Sequence, residues 1–176
     1  CALVVVDVQE RLLPHIHGHE EVLRRSVQAV QIAAHLGVPV IALEQYRRGL
    51  GETVAALRQV FETAGADAPI EKMSFSAFGE PSFVQKLEDL AVETLIVCGI
   101  EAHVCVLQTA LDAVTRGFQV LLLAEATGSR NPRHATEAWE RMRQDGVRLG
   151  SVEMFAFEAL RSAEHPAFQK IRRVIM

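Results

Sequence analysis

The chain has 176 residues, 49% of them hydrophobic and 23% charged, which fits one α/β domain spanning residues 1–176 better than several small modules. Its 18 Lys and Arg residues against 22 Asp and Glu residues give a net charge of −4, so no positive excess favours a nucleic-acid backbone or an anionic membrane. No apolar run approaches the roughly 20 residues that a membrane-spanning helix needs, and we therefore expect neither nucleic acid nor membrane as a partner.

Short apolar runs rich in Val, Ile and Leu alternate with longer amphipathic stretches, which is the pattern of buried strands joined by crossover helices. The predicted strands are 3–7, 38–43, 68–70, 94–98, 119–124 and 147–151. The predicted helices are 20–36, 52–61, 81–90, 103–116, 132–144 and 152–160, followed by a short one after residue 166. This order predicts a three-layer α/β/α fold, with an open, mostly parallel, Rossmann-like sheet of six strands.

Reactive side chains in such sheets gather where the strands end at their carboxyl edge. Asp7 ends the first predicted strand, Lys72 follows the third, and Cys105 follows the fourth. Cys105 also begins a predicted helix, where free backbone N–H groups and the helix dipole favour a thiolate. The three residues could form a base, a cation and a nucleophile, but each alone is equally consistent with a structural role. The residues by themselves leave both interpretations open.

The three cysteines, Cys1, Cys98 and Cys105, are an odd number, and no leader-like segment precedes the first predicted strand. Both features favour a reducing, cytoplasmic location over a secreted disulfide framework. Cys98 lies inside an apolar strand, which predicts a small buried core residue.

Taken in order, three segments resemble the isochorismatase-like cysteine hydrolases, the superfamily of nicotinamidases and N-carbamoylsarcosine amidase. They are Val-Val-Asp-Val-Gln at 5–9, Lys72 before an aromatic loop, and Gly-Ile-Glu-Ala-His-Val-Cys at 99–105. Glu-Gln-Tyr at 44–46 and the tail His165-Pro166 are most similar to the branch of isochorismatase domain-containing proteins.

This resemblance implies an Asp7, Lys72 and Cys105 triad that hydrolyses a C–N bond through a thioester. Lys72 and the helix start would stabilise the Cys105 thiolate, and Asp7 would accept the thiol proton and return it to the leaving amine. The resemblance also implies a cis peptide between Ile100 and Glu101. The N–H groups of Glu101 and Cys105 would then form an oxyanion hole.

The loop after the second predicted strand lacks the Asp/His metal cluster of the nicotinamidases, so we expect neither a metal nor a cofactor. His15, His17 and His19 could ligate a transition metal, but without a carboxylate pattern we favour a solvated loop. Cys105 itself distinguishes the chain from true isochorismatases, which lack that cysteine, so isochorismate is not the expected substrate.

The leading hypothesis is thus a cysteine hydrolase of a small amide-like molecule. Tyr46, Phe75 and Phe78 are candidate pocket walls, and Gln9 is a candidate polar contact with the substrate. The alternative is a non-catalytic scaffold of the same fold that binds a partner. In either case we expect a homo-oligomer, because family members commonly associate.

Overall fold

The computed structural model describes residues 1–176 as a six-stranded sheet with eight α-helices. The strands are β1 (Ala2–Val6), β2 (Val40–Gln45), β3 (Ile70–Lys72), β4 (Thr94–Ile100), β5 (Gln119–Gly128) and β6 (Arg148–Gly150). The helices are α1 (His19–Leu36), α2 (Arg47–Leu50), α3 (Ala55–Ala64), α4 (Pro81–Asp89), α5 (Leu107–Thr115), α6 (Pro132–Gln144), α7 (Val152–Leu160) and α8 (Phe168–Ile175). None of the eight helices combines the length and the apolar content that crossing a bilayer requires.

All strand pairs in the sheet are parallel, in the order β3-β2-β1-β4-β5-β6. The chain runs outward from β1 to β3, then crosses back and runs outward again from β4 to β6. The strand order therefore reverses between β1 and β4, and the crevice at such a switch point is where open α/β sheets bind ligands.

Alternate residues of each strand face opposite sides of the sheet and therefore meet different layers of helices. In β1, Leu3 and Val5 join a core with α1, α3, α7 and α8, whereas Val4 and Val6 join a second core with α4, α5 and α6. Helices thus cover both faces of the sheet, so the predicted three-layer α/β/α architecture is confirmed.

Several boundaries differ from those that the sequence predicts. Strand β2 continues to Gln45, β3 is shifted to Ile70–Lys72, and β5 continues to Gly128. The predicted helix 103–116 is divided into a π-helical turn, Ala102–Val106, and α5. Polar residues extend β2 and β5 because neighbouring strands supply hydrogen-bond partners, which the local apolar pattern does not show.

Gly99 allows β4 to pass close to β1 just before the switch-point loop. Its φ is +117°, and a Cβ atom there would lie 2.1 Å from the carbonyl oxygen of Val6. Any other residue would push apart the two central strands at the point where Asp7 leaves β1.

Candidate functional site

Four polar or thiol side chains from four neighbouring strands meet at the carboxyl edge of the sheet. Asp7 follows β1, Gln45 ends β2, Lys72 ends β3, and Cys105 lies in the turn after β4. Each of them is at most 8% exposed. The structure thus brings the three predicted residues together with a fourth that the sequence reasoning did not select.

Lys72 is held by acceptors from three segments of the chain. Its Nζ lies 2.8 Å from Asp7 Oδ2 and 2.7 Å from Gln45 Oε1, and it also donates to the carbonyl oxygens of Phe75 at 3.1 Å and Ser74 at 3.4 Å. The ammonium is completely buried, and a buried charge is tolerated only when it is paired and hydrogen-bonded in this way.

One carboxylate oxygen of Asp7 is hydrogen-bonded and the other is not. Oδ2 pairs with Lys72, whereas Oδ1 is buried without any hydrogen-bond partner. The residue also has a φ of 51°, a left-handed conformation that a non-glycine residue rarely adopts. Burial raises the pKa of Asp7 above its ordinary value, although the charge of Lys72 opposes that shift. The site therefore contains a proton acceptor with an unused oxygen.

Cys105 has its thiol in this buried cluster, where Sγ lies 3.9 Å from Gln45 Oε1 and also interacts with the side chains of Asp7 and Lys72. Burial, followed by the negative charge of Asp7, raises the pKa of Cys105 to about 12. This direction is opposite to the one expected for a thiolate stabilised by Lys72 and the helix start, although the charge of Lys72 opposes the rise. Cys105 lies in the π-helical turn before α5, and Lys72 is shared among other acceptors.

The loop between β4 and the π-helical turn contains the cis peptide Ile100–Glu101 that the resemblance implies. The Glu101 N–H donates to no backbone carbonyl or side chain. Its carboxylate accepts from both the backbone N–H and the guanidinium of Arg130, each at 3.0 Å. Burial would raise the Glu101 pKa, but these bonds from Arg130 outweigh it and hold the pKa below its ordinary value.

Two of the candidate pocket residues lie at the rim of the site. The side chains of Tyr46 and Phe75 are 45% and 54% exposed, on the loops that follow β2 and β3. Tyr46 donates its backbone N–H to the carbonyl oxygen of Lys72 at 2.9 Å, which ties its loop to the cluster.

Gln9 and Phe78, the other two candidates for substrate contact, are buried. Gln9 is completely buried, and its amide pairs with both backbone groups of Gln45 and donates to the carbonyl oxygen of Gly51 at 2.6 Å. Phe78 packs inside the second core, with its ring centroid 5.2 Å from that of Phe83 in an edge-to-face arrangement. Gln9 therefore holds the end of β2 in place, and Phe78 packs in the core beneath the site.

Gln45 is the site residue that the sequence reasoning missed. It stands within the Glu-Gln-Tyr motif but beyond the predicted end of the second strand, and an amide has no charge to draw attention to it. Its position at the end of a buried strand was the available signal, because strand ends hold reactive groups in this type of sheet.

Potential metal ligands do not cluster in the structure. His15 and His17 are exposed in the loop before α1, and no group of three or more His, Cys, Asp or Glu side chains is arranged to hold an ion. A cavity of about 820 Å³ lies away from the triad, at the amino ends of the strands. Its lining includes Cys1, Thr94 and Arg148.

Comparisons with known proteins agree on one family. A family model described as "Isochorismatase domain" matches residues 1–154. Isochorismatase domain-containing protein 1 from Danio rerio is 34% identical over 169 residues, which are 96% of this chain and 58% of that protein. The chain thus spans less than two thirds of that relative's length.

Two solved structures show the same architecture. The MAR1 ribonuclease from Caenorhabditis elegans is 34% identical, with a TM-score of 0.91 over 99% of this chain and 88% of that one. The YcaC gene product from Escherichia coli, described as an octameric hydrolase of unknown specificity, is 25% identical, with a TM-score of 0.86 over 99% of this chain and 91% of that one.

The six-stranded parallel sheet is that of an α/β protein with an isochorismatase-like hydrolase fold. The chain belongs to the isochorismatase family.

Proposed function

We propose that the protein is a cysteine hydrolase that cleaves the C–N bond of a small amide-like substrate through a thioester on Cys105. The observation that carries the proposal is the buried Asp7 Oδ1, which has no hydrogen-bond partner beside a buried thiol. An unpaired buried carboxylate oxygen is costly, and such groups are characteristic of sites that move protons.

In the first half-reaction the Cys105 thiol transfers its proton to Asp7 Oδ1 as Sγ bonds to the substrate carbonyl carbon. The resulting oxyanion accepts from the backbone N–H groups of Glu101 and Cys105, of which the Glu101 N–H has no other acceptor. When the C–N bond breaks, Asp7 returns the proton to the leaving nitrogen, and the acyl group remains on sulfur as a thioester.

In the second half-reaction water attacks the thioester carbonyl. Asp7 accepts a proton from the water, the C–S bond breaks, and the proton passes to the departing sulfur. The products are an amine or ammonia, a carboxylic acid and the regenerated thiol. Lys72 stays charged throughout and offsets the negative charge on Asp7 and on the reacting sulfur.

Burial limits the size of the proposed substrate. Cys105 is only 6% exposed, which favours a small substrate over a large one. A small amide, urea or carbamate can reach Sγ in such a site, whereas a folded protein chain cannot.

Cleavage of RNA is the second candidate, because the relative from Caenorhabditis elegans is named a ribonuclease. The net charge of −4 and the 6% exposure of Cys105 favour the small amide over a polyanionic strand. A labelled single-stranded RNA in the same assay tests this alternative, and we expect no cleavage.

The test is a screen of small amides, ureas and carbamates for release of ammonia or amine by the purified protein. We expect Cys105→Ala and Asp7→Asn each to lower turnover at least a hundredfold, because nucleophile and proton acceptor act as a unit. The matched control is Cys1→Ala, which removes the exposed cysteine and leaves turnover unchanged. Full activity in Cys105→Ala would contradict the proposal.

A further inference from the structure

Gln45 connects two of the proposed catalytic groups through one atom. Its Oε1 accepts from Lys72 Nζ at 2.7 Å and from Cys105 Sγ at 3.9 Å, while its Nε2 donates to the carbonyl oxygen of Met73 at 2.8 Å. Reversing the amide would set its NH₂ group against the Lys72 ammonium and its oxygen against the Met73 carbonyl. The surrounding groups therefore determine which end of the amide faces the thiol.

The backbone of Gln45 is held as firmly as its side chain. Its N–H donates to Gln9 Oε1 at 2.8 Å, and its carbonyl oxygen accepts from Gln9 Nε2 at 3.0 Å. Gln9 also donates to Gly51 O, so the end of β2 is tied to the segment after β1 and to the residue that follows α2. Hydrogen bonds thus hold both the backbone and the side-chain amide of Gln45.

We propose that Gln45 is a positioning residue that keeps the resting Cys105 thiol protonated through Oε1, which contacts both the thiol and the Lys72 ammonium. This inference rests on the proposed function, since it assigns a role within the same site. Oε1 can accept from a thiol, but it has no hydrogen to donate to a thiolate. The same oxygen binds Lys72 and so competes with the sulfur for the ammonium.

The consequence is a site that is inactive until substrate enters. Because Oε1 faces both the thiol and the Lys72 ammonium, the thiol keeps its proton until a carbonyl lies beside Sγ and Asp7 accepts that proton. A protonated thiol is a poor nucleophile, so this arrangement protects Cys105 from electrophiles other than the correctly placed carbonyl.

The test measures alkylation of Cys105 by iodoacetamide, which requires no turnover and so separates failure of this inference from failure of the proposed function. The protein carries Cys1→Ser, and peptide mapping by mass spectrometry assigns the label. Gln45→Met removes Oε1 at similar volume. We expect it to raise the alkylation rate at pH 8 at least tenfold and to move the pH profile downward.

Two matched variants distinguish the loss of Oε1 from simple loosening of the site. Gln45→Glu keeps an acceptor oxygen and adds negative charge, so its rate should stay at or below that of the unaltered protein. Gln9→Leu weakens the backbone clamp but retains Oε1, and its rate should change less than threefold.

An unchanged rate in Gln45→Met would overturn the inference, and so would an equal acceleration in Gln9→Leu and Gln45→Glu. If Gln45→Met fails to fold, as judged by circular dichroism, Gln45→Asn takes its place. Asparagine withdraws the oxygen by one methylene and should accelerate alkylation in the same direction.

Discussion

At the scale of single residues, the centre of the molecule is a buried ion pair between Asp7 and Lys72. Both side chains are completely inaccessible to solvent, and their charged atoms are 2.8 Å apart. The attraction within such a pair offsets the cost of desolvation only when further hydrogen bonds are made. Here the Lys72 ammonium also donates to Gln45 and to two backbone carbonyl oxygens. Asp7 has no such support at Oδ1, so the pair is asymmetric.

Lys72→Met should destabilise the protein strongly, because it leaves the Asp7 carboxylate buried without its partner. Removing one member of a buried pair typically costs about 3–5 kcal/mol. Urea unfolding should therefore show a fall of that size in the free energy of unfolding. Adding Asp7→Asn to Lys72→Met should recover part of the loss, since the unpaired charge is then removed. A double variant less stable than Lys72→Met would show that the two side chains do not act as a pair.

The buried thiol of Cys98 makes stability depend on alkaline pH. Burial raises its pKa from 9.0 to about 12, so the folded chain keeps the proton that the unfolded chain releases. A raised folded pKa contributes stability below pH 9, and that contribution is lost as the pH rises toward 12. The Cys98 contribution should fall by about 1.4 kcal/mol per pH unit in that window.

The comparison for this prediction is Cys98→Ala. Its free energy of unfolding, measured in urea, should fall less steeply between pH 9 and pH 12 than that of the unaltered protein. Parallel curves for the two proteins would mean that the thiol ionises equally in the folded and unfolded chains.

At the scale of secondary-structure elements, the contact between β1 and β4 positions the site. Gly99→Ala should cost more than 2 kcal/mol, because the new Cβ would lie 2.1 Å from Val6 O in a backbone conformation that alanine resists. Gly37→Ala is the matched control, since Gly37 also has a positive φ but no atom lies within 4 Å of its added Cβ. It should cost about 1 kcal/mol. Equal losses of unfolding free energy in the two variants, measured in urea, would show that the close approach of β4 to β1 does not determine the cost.

The alternation of apolar and amphipathic segments was sufficient to predict the sheet, the layers and most helices. Asp7 and Cys105 were also predictable, because a polar or thiol group that follows an apolar strand lies at the sheet edge where ligands bind. The pKa of Cys105 was not predictable from the sequence. A helix start favours a thiolate, whereas burial and the negative charge of Asp7 raise the pKa. That balance depends on tertiary packing rather than on spacing.

The loop after β3 shows why the pocket walls were only partly predictable. Spacing places Phe75 and Phe78 in one short loop, but Ser76 bonds Asp112 at 2.6 Å and the Ala77 N–H donates to Thr109 Oγ1 at 3.0 Å. These two bonds anchor the loop on α5 and direct Phe78 into the core, while the Phe75 side chain remains exposed. Long-range hydrogen bonds of this kind have no signature in the local sequence.

At the scale of the whole molecule, exposed apolar side chains suggest self-association. Tyr46, Met73 and Phe75 are each at least 45% exposed around the site, and Met154 and Phe157 are similarly exposed on α7. Apolar clusters on a surface commonly mark protein contacts. We expect light scattering to give a mass that is a multiple of 19.4 kDa. A mass of one chain at micromolar concentration would contradict self-association.

The central claim is that Cys105 carries the acyl group during cleavage of a C–N bond, and mass spectrometry of the acid-quenched protein during turnover tests it most directly. For an amide found in the screen, we predict an increase in mass equal to the acyl group, located on the peptide that contains Cys105 and removed by hydroxylamine. The adduct should be absent from Cys105→Ala and present in Cys1→Ala. Steady release of amine with no acyl group on Cys105, and with Cys105→Ala still active, would contradict the account.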